Sequence, residues 1–285
     1  MGYTSIQETS IPADSVATES PESRMPERRG RPRLLEFCLL LALGFAGWVL
    51  CAPVLPIPSD KHPRAVIIAL IETAIIAGLG CVAARRIGLA PTASRRWWES
   101  DGASPGLREV ILAGVAAGIV SIAGTEAVGV IVVKLLWSPA IAGAASHAGA
   151  NAQAGKEVIK LLKAHPLAVG VGFPIIEEIH FRLLIMTALA WLIGKLFRER
   201  MGARSTKIWW TAIVVQGFAF AAMHALSGES PLWWEPRIVQ VMFDPRVVAG
   251  VVLGYAYWRW GLESSIIAHV LTNVSVFLLS MMRGG

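Results

Sequence analysis

The chain has 285 residues, 54% of them hydrophobic and 16% charged, with a formal net charge of +6 and a mean hydropathy of +0.56. Soluble domains carry about a quarter of charged residues, so this composition excludes an ordinary soluble enzyme and points to a bilayer. The positive balance comes from Arg and Lys clusters beside apolar runs, which read as topology signals and contacts for anionic lipid, not as a nucleic-acid footprint.

Residues 1–33 are rich in Ser, Thr, Pro and Glu and end in an Arg cluster. They are expected to form a disordered tail, too long and polar for the n-region of a cleaved signal peptide. Gly2 does not start a myristoylation signal, because Ile6 stands where Ser or Thr is needed. Residues 34–285 read as one membrane domain. Apolar runs predict spans at about 34–55, 65–83, 109–136, 166–197, 208–226, 244–258 and 264–282, an all-α polytopic protein of about seven or eight helices. Arg24, Arg28, Arg29, Arg31 and Arg33 precede the first span, and Arg85, Arg86, Arg95 and Arg96 follow the second. Both clusters put the N-terminus in the cytoplasm. Lys195, Arg198, Arg200, Arg204 and Lys207 agree, whereas Lys156, Lys160 and Lys163 fall on the opposite side.

The third and fourth predicted spans, 109–136 and 166–197, are too long to cross simply, and glycines in 109–136 allow a bend there. At 1.5 Å per residue, 166–197 would extend about 48 Å against a hydrocarbon core of about 30 Å. It must tilt, break near its glutamates or continue along the interface. Residues 227–237 contain a Trp pair and suit the headgroup zone. The three cysteines, Cys38, Cys51 and Cys81, have no paired spacing and read as small core residues.

Ionisable groups inside apolar spans are costly, at roughly 2.5–3.5 kcal/mol each near mid-bilayer, and are functional by default. Residues 173–182, FPIIEEIHFR, hold Glu177, Glu178, His180 and Arg182. Glu178 and Arg182 are four apart on a helix and can pair. Glu177 points about 100° away and lacks that partner, which suits a general base. His224 closes the fifth span, one turn after Phe220. His269 and Asn273 are four apart in the last span and share a face. A purely structural reading, helices tied together by hydrogen bonds, is open for each group alone. Together they supply a base, water-orienting groups and donors, the requirements for amide hydrolysis. The same residue types could ligate zinc, although no H-E-x-x-H pattern is present. Glu72 and Glu126 sit mid-span and are candidates to pair with Arg182 or a histidine, or to line an ion path. His180 projects away from the Glu178–Arg182 face. Asp244, before Pro245, reads as the cap of the sixth span.

These residues resemble the CAAX-protease and bacteriocin-processing family of intramembrane proteases, whose signatures are EExxxR, FxxxH and HxxxN, with Asp an alternative to the Asn. Here they read Glu177-Glu178-Ile179-His180-Phe181-Arg182, Phe220-Ala221-Ala222-Met223-His224 and His269-Val270-Leu271-Thr272-Asn273, in order and on separate spans. The resemblance covers 166–282; residues 1–165 share only their apolar helices, and Leu183 replaces a commonly following Gly. It implies an intramembrane endopeptidase of the glutamate type, acting within the bilayer on a lipidated or otherwise membrane-associated protein or peptide. It further implies that Glu177 and His224 activate water, His269 and Asn273 meet the oxyanion, and Glu178 and Arg182 hold the constellation. No cofactor is expected on this reading, because Asn273 is a poor zinc ligand but a good oxyanion donor. Zinc on Glu177, His224 and His269 is the competing mechanism. The expected location is a bacterial inner membrane. The other readings are a proton- or ion-coupled transporter built on Glu72, Glu126 and Glu177, and a non-catalytic scaffold or immunity relative.

Overall fold

The computed structural model describes residues 31–54, 62–92, 106–136, 160, 163–197, 206–226 and 241–282. Most of the polar tail, residues 1–30, and the Trp-containing segment 227–237 lie outside them. Among the described residues all regular structure is helical: α1 Arg31–Cys51, followed by a 3-10 turn Ala52–Val54; α2 His62–Arg86; α3 Leu107–Leu136; α4 Ala168–Leu196; α5 Thr206–Leu226; α6 Arg246–Trp260; and α7 Leu262–Met282. The expected all-α polytopic fold is therefore present, and α1 begins inside the last residues of the polar segment.

Five of these helices, α1 through α5, are long and apolar enough to cross a membrane. Their outer faces carry the large apolar side chains that a soluble protein would bury. On α2, Ile67, Ile68, Ile71, Ile75, Leu79 and Val82 are all exposed among the described residues, a stripe suited to contact with lipid. The core between helices is built from Leu40, Ala77, Ile179, Leu183, Ile213, Tyr257 and Leu262. Helix α6, fifteen residues long, extends only about 22 Å, short of a full crossing of the hydrocarbon core.

Close approach between helices rests on small residues, as van der Waals packing in lipid demands. Gly114 and Gly118, four apart on α3, face α7: a Cβ at Gly114 would stand 2.9 Å from Ser264 O, and one at Gly118 3.1 Å from Ala268 O. Gly250 of α6 lies against Gly217 of α5, where an added Cβ would come within 2.7 Å of Gly217 Cα. Asp244 accepts a hydrogen bond from Arg246 N–H at 2.9 Å, so it caps α6 as its position before Pro245 predicts. Gly261 ends α6 at φ +99° with its N–H on Tyr257 O. Few other residues adopt that conformation, and it lets α7 start one residue later.

The long span α4 neither breaks nor stays a plain α-helix. It alternates: π-helix Ala168–Gly172, α-helix Phe173–Glu178, π-helix Ile179–Met186 and α-helix Thr187–Leu196. The second π segment starts immediately after Glu178. Wider π turns inside α-helices are rare and recur at functional sites.

Candidate active site

Glu178 is fully buried and its carboxylate is met from two helices. Arg182 Nε, one turn on, lies 3.2 Å from Oε2 as the i, i+4 ion pair. From α7, His269 Nδ1 approaches Oε1 at 2.8 Å, and the Ser265 hydroxyl donates to Oε2. Ser265 Oγ is also 2.9 Å from Leu253 O. Because a carboxylate only accepts, Nδ1 of His269 carries a hydrogen. The opposite ring nitrogen, Nε2, lies 3.7 Å from Glu177 Oε2. His269 thus stands between the two glutamates. Glu177, without a partner on its own helix, faces it across the gap with 21% of its side chain exposed.

Arg182 is wholly buried. Its contact with Glu178 is an ion pair lacking hydrogen-bond alignment, and its terminal nitrogens have no hydrogen-bond partner among the described residues. The guanidinium instead lies 4.8 Å from the Phe220 ring centroid, a cation–π contact that partly offsets its desolvation. Phe220 is the hub of the site. Its ring is 4.6 Å from that of His224, 5.8 Å from that of His269 and 5.2 Å from that of Phe181. His224 Nδ1 is 3.0 Å from Phe220 O. A carbonyl only accepts, so in the neutral ring His224 keeps Nε2 as its acceptor.

Asn273, one turn beyond His269, donates Nδ2–H to Val169 O on α4 at 3.1 Å. Three of the six residues singled out from sequence, Glu177, Glu178 and Arg182, therefore lie on α4. His269 bridges the two glutamates, His224 joins through Phe220, and Asn273 ties to the first π segment. Glu72 is taken by His180, whose Nε2 is 3.3 Å from Glu72 Oε1 while Nδ1 meets Ile176 O at 2.7 Å. Glu126 is exposed on α3.

Ser265 escaped the sequence reading, though the signal was there: Ser265, His269 and Asn273 recur every four residues and so share one face of α7. The Thr187 hydroxyl, 3.0 Å from Arg182 O and 2.9 Å from the Tyr257 hydroxyl, left no such trace.

For zinc, Glu177, His224 and His269 would have to converge as three ligands. Among the described residues no group of three His, Cys, Asp or Glu is placed to hold a metal ion. The residues do not fit that group.

The family model for the type II CAAX prenyl endopeptidase, Rce1-like, matches residues 161–275. That segment is similar to the Rce1-like family over about two fifths of the chain. It spans all three motifs and every residue of the cluster around Glu178, while α1, α2 and α3 lie outside it. The Rce1-like family is a family of membrane proteases acting on proteins or peptides, and the match supports a CAAX-type protease activity in a multi-pass membrane protein. No curated protein and no solved structure matches the chain.

Proposed function

We propose that the chain is an intramembrane endopeptidase in which Glu177 is the general base that activates water against a peptide carbonyl. The observation that carries this reading is the arrangement at His269, fixed through Nδ1 by Glu178 and turned through Nε2 toward Glu177 across 3.7 Å. Water attacks the carbonyl carbon, and Glu177, assisted by His224 Nε2, takes its proton. The oxyanion is met by His269 Nε2–H and by Asn273, and the stored proton passes to the leaving amine as the C–N bond breaks.

Charge balance supports the scheme. His269 can donate from Nε2 only as an imidazolium, because its Nδ1–H is committed to Glu178. The four groups then sum to zero, with the partly exposed Glu177 and the buried Glu178 offset by Arg182 and His269. When Glu177 accepts the water proton, the set gains one positive charge at the moment the oxyanion forms. The ion-path reading needs Glu72, Glu126 and Glu177 on one route, but Glu72 is bonded to His180 and Glu177 faces His269.

The substrate class proposed is a prenylated or otherwise membrane-anchored C-terminal peptide. The location proposed is a bacterial inner membrane, and the Arg clusters flanking the first two spans support a cytoplasmic N-terminus. The test is cleavage of a quenched fluorogenic peptide with a prenylated C-terminal CAAX box by protein reconstituted in bilayers. Wild type cleaves it, and Glu177→Gln abolishes turnover while its melting behaviour is kept. Normal turnover by the purified Glu177→Gln protein would remove Glu177 from the base role.

A further inference from the structure

Val169 O is open to Asn273 because of what stands at positions 173 and 174. In an α-helical register that oxygen would accept from the N–H of Phe173, and in a π register from that of residue 174. Phe173 N–H is bonded to Ala168 O instead. Residue 174 is proline and has no N–H to give. In a bilayer, an orphaned carbonyl must be satisfied by the protein itself. Asn273 Nδ2, arriving from α7 at 3.1 Å, is the donor that satisfies it. The same bond orients the amide: Nδ2 is toward α4 and Oδ1 away, since a carbonyl cannot donate.

We propose that Pro174 is a positioning residue for Asn273: by withholding a backbone N–H it keeps Val169 O free to grip the Asn273 amide. One N–H of that amide is spent on the grip. The other is held rigidly relative to α4, which carries Glu177 three residues beyond the proline. The effect on activity rests on the peptidase reading above; the link between the proline and the amide does not.

A double-mutant cycle of Pro174→Ala and Asn273→Ala tests it, with thermal unfolding in detergent and turnover of the prenylated CAAX peptide as readouts. Asn273→Ala orphans Val169 O and lowers Tm. In the Pro174→Ala background the new N–H reaches Val169 O, so the same Asn273 substitution leaves Tm nearly unchanged. Pro174→Ala alone holds or raises Tm, because helical hydrogen bonding is restored. It nevertheless lowers kcat about ten-fold with KM unchanged, short of the roughly 10²–10³ expected for losing an oxyanion donor outright. That split, a sounder helix with slower chemistry, is what a merely structural proline would not produce. If Asn273→Ala cannot be recovered folded, recovery of the double variant replaces the Tm comparison. An equal Tm loss in both backgrounds, an unrecoverable double variant, or an unchanged kcat in Pro174→Ala overturns the proposal. If wild type fails to cleave while the Tm coupling stands, the peptidase reading falls and the link between proline and amide survives.

Discussion

His269 Nδ1 and Glu178 Oε1, 91 residues apart in sequence, meet at 2.8 Å in the buried interior between helices. The bond fastens α7 to α4 and fixes the orientation of the imidazole at once. Its strength depends on Glu178 remaining charged, and Arg182 on the next turn supplies the compensating charge at 3.2 Å. The two glutamates of the motif thus have different surroundings. Glu178 is saturated with donors, whereas Glu177 has a gap before it.

Removing Arg182 should therefore be severe. Arg182→Ala leaves the Glu178 carboxylate buried without its cation, and breaking a buried pair in this way costs about 3–5 kcal/mol. Both thermal stability in detergent and turnover are expected to fall. Arg182→Lys keeps the charge but not the planar group over Phe220, and should recover part of the stability. Wild-type melting of Arg182→Ala with lost turnover would shift Arg182 from support to direct contact with the reacting groups.

Phe220 offers a cleaner separation of packing from alignment. Its ring is the shared surface of Arg182, His224, His269 and Phe181. Phe220→Ala should cost about 3–5 kcal/mol through the cavity it leaves. Phe220→Leu keeps most of the volume but loses the cation–π contact, worth about 2 kcal/mol when desolvated. Turnover by Phe220→Leu should drop further than its modest Tm change alone would suggest. Equal and small losses in both would reduce Phe220 to filler.

Sequence made the helices and motifs legible for a physical reason. Hydrocarbon thickness fixes the length of an apolar run, and ionisable groups inside such runs stand out against it. All seven predicted spans coincide with helices, and the Glu178–Arg182 pair follows from helical periodicity alone. What periodicity could not give was the change of helical register. At about 48 Å, 166–197 was open to tilt, breakage or an interfacial run; α4 is instead a continuous helix that changes register through two π segments. Nor could the sequence choose among the partners it offered across helices. Glu72 finds His180, 108 residues away, and Asn273 finds a backbone carbonyl, which leaves no signature in side-chain chemistry.

The junction of α5 and α6 should be intolerant of even one methyl group. A Cβ on Gly250 would stand 2.7 Å from Gly217 Cα, and backbone cannot swing aside as a side chain can. Gly250→Ala must push the helices apart, with an overpacking cost of about 1–3 kcal/mol. Because α5 carries Phe220 and His224, turnover should fall with stability. A Gly250→Ala protein with wild-type Tm would mean that the two helices are free to separate at this point.

Metal dependence is the sharpest division between the two hydrolytic mechanisms these residue types permit. A catalytic zinc takes three protein ligands and leaves a position for water. Glu177 Oε2 and His269 Nε2 are 3.7 Å apart, and the Glu178 bond to Nδ1 resembles the carboxylate that orients a ligating histidine. A third ligand is still required, and His224 is placed through Phe220 rather than in a three-residue ligand group. With water activated by Glu177 instead, chelators should leave turnover of the prenylated peptide unchanged. Purified active protein should also carry well under one metal ion per chain. The His224→Ala variant adds a second arm. If His224 only assists Glu177, the variant keeps residual turnover, since general acid–base assistance is worth about 10²–10⁴, and added zinc does not alter it. Stoichiometric zinc in active protein, with removal and return switching turnover off and on, would overturn the glutamate mechanism and make Glu177 a ligand instead of a base.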